Sequence, residues 1–193
     1  MEELLAILNA SKIDHASKIV SCESFKDAHM YCVIHRLSGQ MTGTLLEKYI
    51  IHHTNSKKIV SSMCEGDFEK DGEKIELKVS CGGKTRKIFN YVQIRPLHKV
   101  DYYMLTAYYI NHENVSNLGE LYVFKVPKVD MCDLIVKYGT YAHGTIKKQG
   151  HITNESIQTT EHIEYALRPV YGSQLWSKLL EYKCTSSDLP NEF

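Results

Sequence analysis

CEGDFEKDGEKIELKVSCGG, running from Cys64 to Gly83, is the segment whose reading decides the fold. Asp71-Gly72 at its centre is a strong signal for a two-residue hairpin loop, because a type I′ turn needs φ > 0 at both central positions. That loop pairs Lys70 with Glu73, Phe68 with Ile75, Asp67 with Glu76 and Glu65 with Lys78. With a side-chain period of two, Phe68, Ile75, Leu77 and Val79 fall on one face, and Glu65, Asp67, Glu76 and Lys78 on the other. A three-residue loop slips the register by one and sets Asp67 opposite Ile75, mixing apolar and polar faces, so the pattern favours the shorter loop. In this register Asp67 and Glu76 oppose each other with Cβ atoms roughly 5 Å apart, an arrangement that destabilises unless a positive charge neutralises it. Mg²⁺ is suited to that task, since it takes one or two carboxylates and fills its remaining positions with water and phosphate oxygens. The same alternation also describes a half-buried hairpin whose charged face lies in water, and the pattern fits both.

Outward from the hairpin, the pattern predicts a mixed sheet packed by helices. Residues 2–10 and the stretch SGQMTGTLLEKYIIHHT have helical spacing, the second with Thr42 or Thr44 as cap. Strand-like runs rich in Ile, Val, Tyr and Phe occupy about 59–69, 73–80, 88–95, 102–110 and 120–126. A helix is expected after Pro127, ended by Gly139, then a late strand over 163–170 and a closing helix in SQLWSKLLEY capped by Ser173.

The 193 residues suit one domain, and 43% hydrophobic with 24% charged residues is ordinary for a chain that buries a real core. The formal net charge is zero, so no global field points to a polyanion, and any basic surface must be local. None of the six cysteines forms C-x-x-C or a zinc-finger spacing with histidine, which points to reduced thiols in a cytoplasmic protein. The N-terminal apolar run is too short for a signal peptide, and no stretch approaches the ~18 apolar residues of a membrane span, so no membrane partner is expected.

Asp67, eight further residues, and then Glu76-x-Lys78 on an apolar strand resemble the PD-(D/E)-x-K nuclease signature. The following VSCGG and the preceding amphipathic helix carrying Glu47 are similar to type II restriction endonucleases, as are NYVQIRPLHKVDYYMLTAYYI and YAHGTIKKQGHIT. Gly66 stands where the motif's name has proline. The resemblance implies an α/β, restriction-endonuclease-like mixed β-sheet core flanked by helices. It implies Asp67 and Glu76 as Mg²⁺ ligands, Lys78 as the catalytic lysine and Glu47 as an additional acid. The expected organisation is a single nuclease domain over 1–193, with a catalytic core at about 42–126 and recognition and C-terminal elements at about 127–193. The expected activity is Mg²⁺-dependent, sequence-specific hydrolysis of double-stranded DNA. A repair or resolvase nuclease on the same core, and a non-catalytic DNA-binding protein, are the alternatives. A homodimer is expected because palindromic sites mirror two-fold symmetry.

Two acid-free stretches are the candidate DNA contacts. Between Leu77 and Val100 the chain carries Lys78, Lys84, Arg86, Lys87, Arg95 and Lys99 without an acid, which fits phosphate contact; a solvated basic loop is the alternative. Gln93 and Arg95 share one face of an expected strand; the resemblance implies a polar residue of this strand near the metal-bound water, a place for Gln93, with Arg95 in reach of phosphate, and an edge-strand polar pair fits equally. Between Leu134 and Asn154, His143, Thr145, Lys147, Lys148 and Gln149 offer donors and acceptors of the kind that read base edges, or form an ordinary polar loop. CGGKT lacks the glycine a phosphate loop needs five positions earlier, where Lys78 stands, so that reading is rejected. Adjacent His52 and His53 point in different directions on a helix and are read as structural.

Overall fold

In a computed structural model that describes residues 13–60, 64–83, 86–111, 118–142, 150–159 and 163–184, the hairpin turns where the dipeptide predicts. Asp71 and Gly72 adopt φ of 53° and 84°. Strand β2 (Phe68–Lys70) runs antiparallel to β3 (Glu73–Cys81), with Lys70 opposite Glu73 and Phe68 opposite Ile75. β3 continues past its partner and pairs in parallel with β5 (Tyr102–Tyr109), so that Glu76 neighbours Tyr103 and Lys78 neighbours Leu105. β6 (Glu120–Pro127) lies antiparallel to β5, and the short β1 (Lys57–Lys58) edges β2. The result is a five-stranded mixed sheet of order β1-β2-β3-β5-β6 flanked by helices.

Two strand expectations change. The run expected over 59–69 is regular only at Phe68–Lys70 among the described residues, because Gly66 at φ 93° breaks it. The run expected over 88–95 does form a strand, β4 (Tyr91–Ile94), but it leaves the main sheet. It joins β8 (Tyr165–Leu167) and β7 (Thr140–Tyr141) in a separate three-stranded sheet of order β4-β8-β7.

Helix α1 (His15–Val20) and α2 (Phe25–Ile34), absent from the sequence reading, are capped by Asp14 and Ser24, whose side chains accept from Ser17 and Asp27 amides. α3 (Gly39–Thr54) begins earlier than expected: Ser38, not Thr42 or Thr44, is its cap, accepting from the Met41 amide at 3.2 Å. Thr42 is instead buried, and Thr44 returns its hydroxyl to the Gln40 carbonyl. α4 (Lys128–Tyr138) follows Pro127 and stops at Gly139. α6 (Gln174–Leu180) closes the fold with Ser173 as cap; the single short turn α5 (Asn154–Thr159) precedes β8. The helix expected over 2–10 lies outside the described residues. No helix among those described is long and apolar enough to cross a membrane.

Alternation sorts the sheet into two buried faces. Ile75, Leu77, Met104 and Val123 pack against α2 and α3 through Phe25, Leu46, Tyr49 and Ile50. Tyr103, Leu105, Phe124 and Val126 pack against α4, α6 and the second sheet through Ile135, Trp176 and Tyr165. Each fully buried large apolar side chain of this kind contributes ~1.5–3 kcal/mol. The polar face of the hairpin therefore does not lie in water: Glu76 is only 7% exposed.

One polar contact ties α2 to the sheet centre. His29 is fully buried, with Nδ1 2.8 Å from the Phe25 carbonyl and Nε2 3.0 Å from Thr106 Oγ1. A carbonyl only accepts, so Nδ1 carries the proton and Nε2 accepts from the threonine hydroxyl. Burial lowers the imidazole pKa from 6.5 to about 4. An unfolded chain thus binds a proton that the native state refuses between these values. The neutral imidazole's contribution is complete above pH 6.5 and is lost as pH falls toward 4. Urea unfolding should show wild type losing about 2 kcal/mol more than His29→Gln between pH ~7.5 and ~5. Parallel pH profiles would remove His29 as the cause.

Candidate active site

Gly66 creates the site by breaking its strand. A Cβ at this buried position would stand 2.7 Å from the Ile75 carbonyl oxygen, and φ of 93° is costly for any L side chain. The backbone is thereby free to let the Asp67 amide donate to Ile75 O at 2.9 Å, although Ile75 lies opposite Phe68 in the ladder. Two consecutive residues meeting one partner is the geometry of a bulge, which re-aims a side chain. Asp67 Oδ2 then accepts from the Leu77 amide at 2.7 Å. The ladder's last regular pair is Phe68 with Ile75, so the expected pairs Asp67–Glu76 and Glu65–Lys78 do not continue it: Asp67 turns to the Leu77 amide, within reach of the Glu76 charge, and Glu65 pairs with Lys74 at 2.9 Å.

Glu76 is gripped in turn. Its Oε1 accepts from Lys78 Nζ at 2.7 Å, and its Oε2 lies 3.7 Å from His98 Nδ1. Burial first, and the Glu76 charge second, raise the Asp67 pKa from 3.8 to about 6; the Leu77 amide and Lys78 oppose the shift, and Glu47 adds to it. Burial also holds His98 below its ordinary range, with Glu76 pulling the other way.

Beside these groups lies a cavity of about 920 Å³ between α3, β3 and β4. Asp67, Lys78, Glu47 and Gln93 all line it, whereas Glu76 stands behind Lys78, whose ammonium it holds. Glu47 projects from α3, paired with Lys58 at 3.2 Å. Gln93 enters from β4 with φ of 56°, where the pairing with β8 slips between Tyr91 and Ile94. A non-glycine residue held in the left-handed region inside a strand costs of order 1–3 kcal/mol, and such outliers cluster at functional sites.

The cation candidates fare differently. Arg95 donates to Glu164 through Nε at 2.9 Å and through its terminal nitrogen. Lys87 bonds Glu120 at 2.6 Å and lies over the Tyr109 and Tyr171 rings. Both therefore serve structural ion pairs, because a stretch without acids along the chain meets acids from elsewhere in space. Arg86 is exposed. Lys84, His143, Thr145, Lys147, Lys148 and Gln149 lie outside the described residues. His53 is structural as expected, its ring meeting the Val20 carbonyl. The sequence reading missed His98, which no local pattern ties to Glu76. No protein-family model matches the chain, and no curated protein matches it.

Among the described residues no three His, Cys, Asp or Glu side chains converge as a metal cage. The site offers two neighbouring carboxylates, which is the protein share that Mg²⁺ requires when water and phosphate supply the rest. Asp67 is raised first by burial and second by the Glu76 charge, and a divalent cation beside the two carboxylates would favour its ionised form.

The sign of the shift gives a test without catalysis. Asp67 holds its proton more tightly in the native state, so its contribution is complete below pH 3.8 and is lost as pH rises through about 6. In chelator at pH ~8, Asp67→Asn, which keeps an oxygen for the Leu77 amide, should melt higher than wild type, with the gap closing toward pH ~4. Millimolar Mg²⁺ at pH ~8 should raise the wild-type Tm and leave that of Asp67→Asn unmoved. Equal Mg²⁺ responses in the two proteins would argue against a cation at these carboxylates.

Proposed function

We propose that this protein is a Mg²⁺-dependent, sequence-specific endonuclease of the type II restriction kind, acting on double-stranded DNA with a PD-(D/E)-x-K core. The observation that carries the reading is that Asp67 and Lys78 line a cavity, with Lys78 paired to the buried Glu76 and Asp67 raised to about 6. Neighbouring carboxylates taken partly out of water are costly to a fold, and these two are held by a glycine-dependent bulge, a backbone hydrogen bond and an ion pair. A mixed sheet with a parallel central pair and helices on its faces is consistent with a restriction-endonuclease-like core. The protein is proposed to work in the cytoplasm, as a homodimer when its site is palindromic.

In this reading Asp67 and Glu76 hold the ion. Bound Mg²⁺ supplies Lewis-acid polarisation of the phosphodiester and lowers the pKa of the attacking water. The Lys78 ammonium, fixed by Glu76, meets the negative charge that develops on the phosphoryl oxygens and stabilises it more than it stabilises the ground state. Gln93, from the opposite wall, orients the water through its side-chain amide. Glu47 adds a carboxylate on the α3 wall to the same charge balance.

Incubation with plasmid and Mg²⁺ distinguishes the readings. Discrete fragments support a restriction enzyme, structure-dependent nicks a repair or resolvase nuclease, and binding without cutting a non-catalytic protein. Glu76→Ala and Lys78→Ala should each lower the cleavage rate at least ~10²-fold, the scale expected for losing a ligand or a transition-state charge, while DNA binding in Ca²⁺ persists. Cleavage by either variant at near wild-type rate would sink the assignment.

A further inference from the structure

We propose that Arg168 and Arg36 form a two-sided phosphate clamp across the cavity, seating a DNA backbone over Lys78; the inference rests on the nuclease reading above. Arg168 follows β8, and is exposed. Its Nε donates to Asn90 Oδ1 at 3.1 Å and one terminal nitrogen donates to Thr140 Oγ1 at 3.0 Å. Asn90 lines the cavity, and its amide donates to Ser80 Oγ at 2.8 Å, two residues beyond Lys78 on β3. A short chain of hydrogen bonds therefore fixes the guanidinium beside the catalytic strand.

The chemistry of its partners sets Arg168 apart from Arg95 and Lys87. Those two are neutralised by Glu164 and Glu120. Arg168 is oriented by an amide and a hydroxyl, neutral acceptors that position the fork without cancelling its charge. Two of its three nitrogens are engaged, and a guanidinium carries five N–H donors, so donors remain to meet a phosphate. Arg36, exposed in the α2–α3 connection, lines the same cavity from the opposite layer. Between them α3 presents Gly39 and Gly43, one turn apart, both lining the cavity. A Cβ added to either meets no atom within 4 Å. Bare helix on one wall, Arg36 in the lining and Arg168 held against the lining residue Asn90 give this opening the positive charge that a sugar–phosphate chain seeks.

The test is duplex DNA binding in Ca²⁺ by fluorescence anisotropy, across about 50 to 200 mM salt. Arg168→Gln, which keeps hydrogen-bonding capacity but not charge, should bind about tenfold more weakly near 0.1 M salt, with a salt slope shallower by about one phosphate contact. Arg168→Lys should keep the slope, and Arg36→Gln should behave as Arg168→Gln. Gly43→Glu places a helix-compatible carboxylate on the bare wall, and should weaken binding at unchanged Tm. Lys178→Gln removes a charge from α6, which contributes nothing to the cavity, and should leave the slope as in wild type. Wild-type binding with an unchanged slope in Arg168→Gln would overturn the clamp alone. Equal loss of Tm in Arg168→Gln and Arg168→Lys at a wild-type slope would assign Arg168 to packing. Wild-type protein that binds no DNA would overturn the nuclease reading itself.

Discussion

Two residues at positive φ, Asp71 and Gly72, set the register on which the rest of the molecule depends. A two-residue loop puts Phe68 opposite Ile75, and from that pair outward every side chain of β3 is assigned a face. A slip of one residue would drive Glu76 and Lys78 into the apolar layer under α3 and turn Ile75 and Leu77 toward the second sheet. Because β3 pairs with β5 in parallel, the same register also determines that Glu76 stands beside Tyr103, and so which layer the carboxylate enters.

Burial gives this placement its chemical character. A strand covered on both faces takes its polar residues out of water, and the charged form of Asp67 is disfavoured accordingly. Lys78 compensates one oxygen of Glu76, and the Leu77 amide compensates one oxygen of Asp67. What is left is a half-buried carboxylate beside a buried one, with a single ammonium held between Glu76 and the cavity. His29 shows the contrasting solution within the same fold: a fully buried titratable group with both nitrogens satisfied, kept neutral, joining α2 to β5.

The distribution of positive charge follows spatial rather than sequential neighbours. Lys87 and Arg95 lie in a stretch of chain with no acid, yet Glu120 and Glu164 arrive from β6 and from the approach to β8 to neutralise them. Arg168, with no conspicuous sequence context, keeps neutral partners beside the cavity. The separate sheet of β4, β8 and β7 is what makes this exchange, since it carries Asn90 and Gln93 to the cavity and brings Glu164 and Arg168 alongside them.

Local chemistry was sufficient for the hairpin turn, the alternation of β3, the strands β5 and β6, the helix between Pro127 and Gly139 and the cap at Ser173. Each rests on neighbours within a few residues: a dipeptide with positive φ, a period of two, a residue without an amide proton, a hydroxyl beside free amides. The three residues Asp67, Glu76 and Lys78 were legible for the same reason, being joined by one turn. The bulge that aims Asp67, the departure of β4 into a second sheet, the approach of His98 to Glu76 and the true partners of the arginines were not legible. They depend on contacts between segments tens of residues apart, where steric fit at Gly66, the closure of two buried faces and the pairing of distant charges decide the outcome, and none of these leaves a local pattern in the chain.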